Sequence, residues 1–137
     1  LQNLTDRLET SLPQIRGVKY LTCSAIKNQG LRKIMPKLLQ AYETWNSRIT
    51  TSSLNRWLIQ VTEIHPPPLI NGRRLRLRYI TQANSRPPTF IVYTSQLNKL
   101  PDSYSKYLTN RLRIDFKLPG TPIRIITRKS DNPFTQR

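Results

Sequence analysis

Three arginines, Arg74, Arg76 and Arg78, alternate with Leu75, Leu77 and Tyr79 in the stretch GRRLRLRY at residues 72–79. Every second side chain of an extended chain points to the same face, so the pattern describes a half-buried strand with an arginine-studded outer face. Guanidinium forks match the bidentate geometry of phosphate oxygens, and the chemistry on offer is anion binding. Arg73 and Arg86 stand at the margins, and Arg124 and Arg128 repeat the alternation in TPIRIITR at residues 121–128. A solvated face that discourages edge pairing would use the same alternation. The charge of the whole chain favours phosphate, because its 137 residues carry a formal net charge of +16 with a pI near 11. Residues 47–137 hold sixteen Lys/Arg against four Asp/Glu, and residues 1–46 hold seven against three. A polyanion relieves self-repulsion of that size, which points the second part at nucleic acid. An anionic membrane surface is the competing polyanion. No apolar run approaches the length that spans a bilayer and none resembles a signal peptide, so no membrane partner is expected.

Absences narrow the chemistry further. One His and one Cys cannot assemble a His/Cys zinc cluster within one chain, so no metal site is expected. Cys23 has no partner for an internal disulfide and suits a reducing, cytoplasmic setting. The four glycines, at 17, 30, 72 and 120, lie too far apart for GxGxxG, for the phosphate loop GxxxxGK[ST] or for a GxSxG elbow. The same spacing excludes the GxxG loop with which many KH domains grip nucleic-acid backbone. His65 precedes three prolines and reads as a helix-terminal residue rather than a catalytic base. No catalytic residue is expected. Leu1 is not an initiator methionine, which suggests a piece of a longer or processed chain.

The elements that must position the arginines follow from periodicity. Leu1, Leu4, Leu8 and Leu12 predict a short amphipathic helix ended by Pro13. Residues 17–23, GVKYLTC, read as a strand. Leu31, Ile34, Met35, Leu38, Tyr42 and Trp45 predict a second helix with a core-type stripe, bent locally by Pro36. The polar run NSRITTSS at 46–53 makes a natural boundary, and Thr51, Ser52 or Ser53 can cap the next helix. That helix carries Leu54, Trp57, Leu58, Val61 and Ile64 on one face, and Pro66–Pro68 stop it. The basic strand is then followed by a turn at Gln82–Pro88 and a second strand at Thr89–Thr94. LNKLP at 97–101 leads into a helix over 103–117, with Tyr104, Leu108, Leu112 and Phe116 inward and Lys106, Arg111 and Arg113 towards solvent. Residues 121–128 form the last strand, and 129–137 a frayed tail.

From residue 51 onward the order is helix, strand, strand, helix, strand, an α+β class. The simplest packing is a three-stranded antiparallel sheet with both helices on one face. Leu75, Leu77, Phe90, Val92, Ile123 and Ile125 would face the helices, leaving Arg74, Arg76, Arg78, Arg124 and Arg128 on the other side. No platform of exposed aromatic rings is evident beside them, which argues for backbone or shape recognition of structured RNA.

Several motifs also carry a family resemblance: RITTSSLNRW at 48–57, HPPPLINGRRLRLRY at 65–79, RPPTF at 86–90 and PDSYSKYLTNRL at 101–112. GTPIRI at 120–125 and DNPF at 131–134 complete the series. Together they resemble the C-terminal domain of the bacterial tandem GTPases of the Der, or EngA, family over residues 47–134. Residues 1–46 resemble the end of that family's second GTPase domain, a helix-strand-helix remnant of an α/β P-loop domain in which TCSA at 22–25 matches the last guanine-recognition motif.

The resemblance implies a KH-like α-β-β-α-β domain without GxxG over 47–134, a tail at 135–137, and a parent GTPase that assists large ribosomal subunit assembly. It implies ribosomal RNA as partner, with Arg73, Arg74, Arg76, Arg78, Arg86, Arg124 and Arg128 as the RNA-binding residues. It places Ser24 and Ala25 at the guanine of GTP, the alanine through its backbone N–H. GTP and magnesium would serve the parent protein. The phosphate loop, switch segments, magnesium ligands and NKxD motif are missing from this sequence, so the chain alone should hold no cofactor and hydrolyse nothing. Two alternatives remain open here: a regulatory module docking on the GTPase domains of its own chain, and a stand-alone basic ribosome-associated protein.

Overall fold

In a computed structural model, which describes residues 2–13, 15–96 and 99–130, the first region is helical without a core. It contains α1 (Gln2–Ser11), a 3-10 turn at Leu31–Lys33 and α2 (Ile34–Asn46). Neither helix buries a residue. The strand expected at 17–23 is not formed; pairing there reduces to an isolated bridge between Ser24 and Gln29. A strand exists only where a neighbour completes its hydrogen bonds, and none among the described residues runs beside this one. Pro36 does not bend a helix interior. It falls in the first turn of α2, where its missing N–H would have had no intrahelical acceptor. Gly30, at φ 76°, ends the intervening loop where a Cβ would stand 2.5 Å from the Thr22 carbonyl oxygen.

The basic half starts at Thr50, whose Oγ1 accepts the Ser53 N–H at 3.3 Å and caps α3 (Thr51–Ile64). The cap lies one residue before the three expected candidates, because Thr50 is the last residue with extended backbone. Leu54, Trp57, Leu58 and Val61 of α3 are buried, but Ile64 at its end is 71% exposed and not part of the core. Asn71 and Gly72, both with positive φ, turn a two-residue ladder of β1 (Leu69–Ile70) on β2 (Arg73–Arg74). Left-handed backbone at both positions is what a two-residue hairpin turn requires.

The main sheet is β3 (Leu77–Ser85), β4 (Pro88–Thr94) and β5 (Arg124–Lys129), with β4 in the centre. The expected turn at 82–88 is shorter, since β3 runs to Ser85 and only Arg86 and Pro87 turn the chain. β3 and β4 pair antiparallel, but β4 and β5 pair parallel, so the sheet is mixed rather than antiparallel. The reason is α4 (Asp102–Asp115), which lies between β4 and β5 and carries the chain back to the end where β4 began. Its Tyr104, Leu108 and Leu112 join Ile80, Phe90, Val92 and the apolar face of α3 in one core.

Polar side chains close what the sheet leaves open. Asn55 on α3 accepts the Ile80 N–H at 3.0 Å and donates to the Ile80 carbonyl at 3.1 Å, covering the free edge of β3. Gln82, buried rather than in a turn, accepts the Ile49 N–H at 2.8 Å and donates to the Ser47 carbonyl at 3.2 Å. Arg113, expected in solvent, is buried and donates to the Thr121 carbonyl at 3.3 Å. Burial, and then the nearby Arg16 charge, lower its pKa from the ordinary value. α4 ends without glycine: Lys117 takes φ 53°, and the Leu118 N–H reaches the Arg113 carbonyl at 2.9 Å, a left-handed cap that buries Leu118. Leu1, Leu97 and DNPF at 131–134 lie outside the described residues, as does the tail at 135–137.

Candidate nucleic-acid interface

The charge of the second region is distributed by element. Glu63 closes α3, and Asp102 and Asp115 open and close α4. β1 to β5 and the chain between Ile64 and Pro101 contain no Asp or Glu at all. The only charges on the strands are therefore positive; three of the four acids of residues 47–137 sit on the helices, and Asp131 lies outside the described residues.

The seven expected arginines separate into groups rather than sharing one sheet face: Arg73 and Arg74 lie in the separate two-residue ladder, Arg76 in no strand, and only Arg78, Arg124 and Arg128 in the three-stranded sheet, with Arg86 just beyond β3. Arg74, Arg76 and Arg78 are exposed and line one groove of about 540 Å³ with Thr62, Glu63, Pro66 and Pro67. The backbone of Arg76 is held on both sides by Ser95, whose Oγ accepts its N–H at 3.2 Å and whose N–H reaches its carbonyl at 3.0 Å. Arg73 lies one residue upstream in β2. Arg86 is at the far end of β3, roughly 25 Å from the groove at the rise of an extended chain. Its Nη1 donates to the Tyr42 hydroxyl of α2 at 3.5 Å. Arg124 and Arg128 are exposed on β5, in register with Thr89 and Tyr93.

A bulge redistributes the face. Leu77 registers with Thr94 and Tyr79 with Tyr93, so Leu77, Arg78 and Tyr79 span the place of two residues on β4. The strict alternation that would send Tyr79 inward is broken at Arg78. Phe90 and Val92 point to the helices, so their alternates Ile91 and Tyr93 belong to the opposite face, and Tyr79 lies with them. The two tyrosine rings are 5.8 Å apart at an interplanar angle of 56°. An aromatic pair thus stands beside Arg128, where no such platform is expected from alternation alone. Counting the register straight back from the turn would not have found it either, because a second shift between Gln82 and Asn84 moves the pairing by one residue.

His65 is structural. Its carbonyl accepts the Tyr104 hydroxyl at 2.7 Å and its ring packs on Tyr104 and Tyr107. Burial, and then Tyr107, push the Tyr104 hydroxyl up to about 12. Among the described residues no group of His, Cys, Asp and Glu could hold a metal ion, and no helix is long and apolar enough to cross a membrane.

Ser24 and Ala25 lie in a tight loop. The Ser24 N–H and carbonyl exchange bonds with Gln29 at 2.9 and 3.0 Å, and its Oγ accepts the Lys27 N–H at 3.2 Å. Ala25 beside it is exposed. The two regions meet at two positive-φ glycines, where the Gly120 N–H donates to the Arg16 carbonyl at 2.9 Å. A Cβ on Gly120 would stand 3.1 Å from the Gly17 carbonyl oxygen. Beside them an apolar concavity of about 860 Å³ is lined by Leu38, Tyr42, Trp45, Pro87, Pro119 and Pro122.

Comparison with known proteins agrees with this architecture. Residues 48–128 match the model of the KH-domain-like family of EngA bacterial GTPase enzymes, C-terminal. The whole chain aligns with the GTPase Der of Roseobacter denitrificans at 49% identity and with that of Mesorhizobium japonicum at 47%. The GTPase Der of Agrobacterium fabrum is 44% identical, again over the whole chain. The chain spans only 28% or 29% of the length of these relatives. The α-β-β-α-β order, the mixed sheet and the matched residues agree, and the chain belongs to the KH-domain-like family found at the C-terminus of EngA bacterial GTPase enzymes.

Proposed function

We propose that this chain is the RNA-binding and regulatory C-terminal part of a cytoplasmic GTPase that assists assembly of the large ribosomal subunit. Residues 47–134 are the RNA-binding module, residues 1–46 close the preceding GTPase domain, and 135–137 are a tail. The observation that carries this reading is the convergence of Arg74, Arg76 and Arg78 on one groove, against the single acid Glu63, beside a three-stranded sheet whose strands carry no acid. Phosphates neutralise such a surface and release counterions, so affinity should fall steeply with salt. Ser24 and Ala25 would meet the guanine of GTP, while hydrolysis and its magnesium belong to other parts of the longer protein.

The test replaces Arg74, Arg76 and Arg78 with Glu and titrates ribosomal RNA by anisotropy at fixed salt. Binding is expected to disappear while the circular dichroism spectrum is unchanged. Unchanged affinity at matched salt removes the groove from the RNA site. A second reading, docking on the GTPase domains, is favoured by the bond from Arg86 to Tyr42 and by the Gly17–Gly120 contact. It predicts little affinity for free RNA and salt-sensitive association with separately purified GTPase domains.

A further inference from the structure

We propose that the open face of the sheet stacks an unpaired base of single-stranded RNA, with Tyr79 as the platform and Arg128 holding the adjoining phosphate. The inference rests on the RNA-binding reading and adds a second subsite of different chemistry. The bulge at Arg78 turns Tyr79 out of the core and sets it opposite Tyr93, in the same cross-strand row as Arg128. Tyr79 is 44% exposed, and the tilt of the pair braces its ring without covering it by a parallel one. In the next row, Thr81, Ile91 and Ile126, Ile91 is buried and Ile126 is 43% exposed, so Ile126 alone extends the apolar surface beside the ring. Aromatic faces on an open sheet, next to arginine, are the means by which sheets take single strands, because every base has a π-face. Tyrosine and arginine are also common at protein interfaces. The absence of any acid on the three strands favours the polyanion.

The experiment uses the full 137-residue chain, a short labelled oligouridylate and a duplex RNA of equal length, at one salt concentration and then across a salt series. Tyr79→Leu, which keeps the apolar bulk and loses the ring, should weaken single-strand binding about 5- to 100-fold. Its log–log salt slope and its duplex affinity should match wild type, and Tyr79→Phe should bind as wild type does. Arg128→Gln, on an exposed strand position, should lower the single-strand salt slope by about 0.7 and keeps the site testable should Tyr79→Leu fold poorly. Single-strand affinity unchanged in Tyr79→Leu, equal loss for duplex, or an unchanged slope in Arg128→Gln overturns the proposal. If Tyr79→Leu instead weakens only association with purified GTPase domains, the face is a protein interface and the proposal fails. Loss of both RNA forms in the Arg74/Arg76/Arg78 variant, with none in Tyr79→Leu, leaves the RNA reading standing and removes the stacking site. A wild-type chain that binds neither form removes the RNA reading itself.

Discussion

Helices α2 and α3 have thirteen and fourteen residues, and each carries an apolar stripe at helical spacing. α3 buries four of its stripe residues against the sheet and α4, whereas α2 buries none and leaves Leu38 58% exposed. Nothing in the two stripes distinguishes them. The difference lies in what faces each helix: α3 has β3 beside it, stapled by Asn55, and α2 has only a shallow apolar concavity rimmed by prolines. Periodicity marks which face of a helix wants to leave water. Whether it does depends on a second surface that the helix does not encode.

The sharpest way to break that comparison is a pair of truncations. Phe90→Ala, at a side chain with no exposure, is expected to cost about 3–5 kcal/mol. Leu38→Ala on α2 is expected to stay within roughly 0.5 kcal/mol. Urea unfolding of both variants measures this, and equal costs would mean that residues 1–46 share the core. Next in size is Asn55→Ala, which leaves the Ile80 N–H and carbonyl without their partner and should cost about 1–3 kcal/mol by the same assay. A neutral result would mean that packing alone holds α3 against the strand edge.

The smallest effect is read by pH. The Tyr104 hydroxyl, buried against His65, is pushed up from 10.0 to about 12. The unfolded chain therefore loses this proton first, so stability is full below pH 10 and declines as the pH rises from 10 towards 12. Tyr104→Phe should flatten that decline while lowering stability by about 1 kcal/mol at neutral pH, because the His65 carbonyl loses its donor. Parallel alkaline profiles of the two chains would sink the assignment.

Much of the fold was legible residue by residue. The spacing of Leu54, Trp57, Leu58 and Val61, the β-branched run of β4, and the breakers between them lead to α-β-β-α-β without any structure. The basic surface was legible as well, since the net charge and the alternation at 74–78 need no fold to be counted. Arg113 illustrates the limit. Residue type alone places it in solvent, yet it is buried because the loop before β5 folds over it and offers the Thr121 carbonyl. The strand expected at 17–23 failed for the reason that α2 stays bare: no described strand completes its ladder.

By itself, then, the chain's sequence determined its local periods, its helix and turn punctuation, and a positive charge weighted to residues 47–137, with no acid between Ile64 and Pro101. These are properties of neighbouring residues and of summed charge. Tertiary structure alone decided the parallel return of β5, the use of Gln82 and Asn55 as edge staples, and the bulge that turns Tyr79 to the open face. Each of those depends on which residue of one strand meets which residue of another, and a one-residue slip at Arg78 is enough to exchange the two faces.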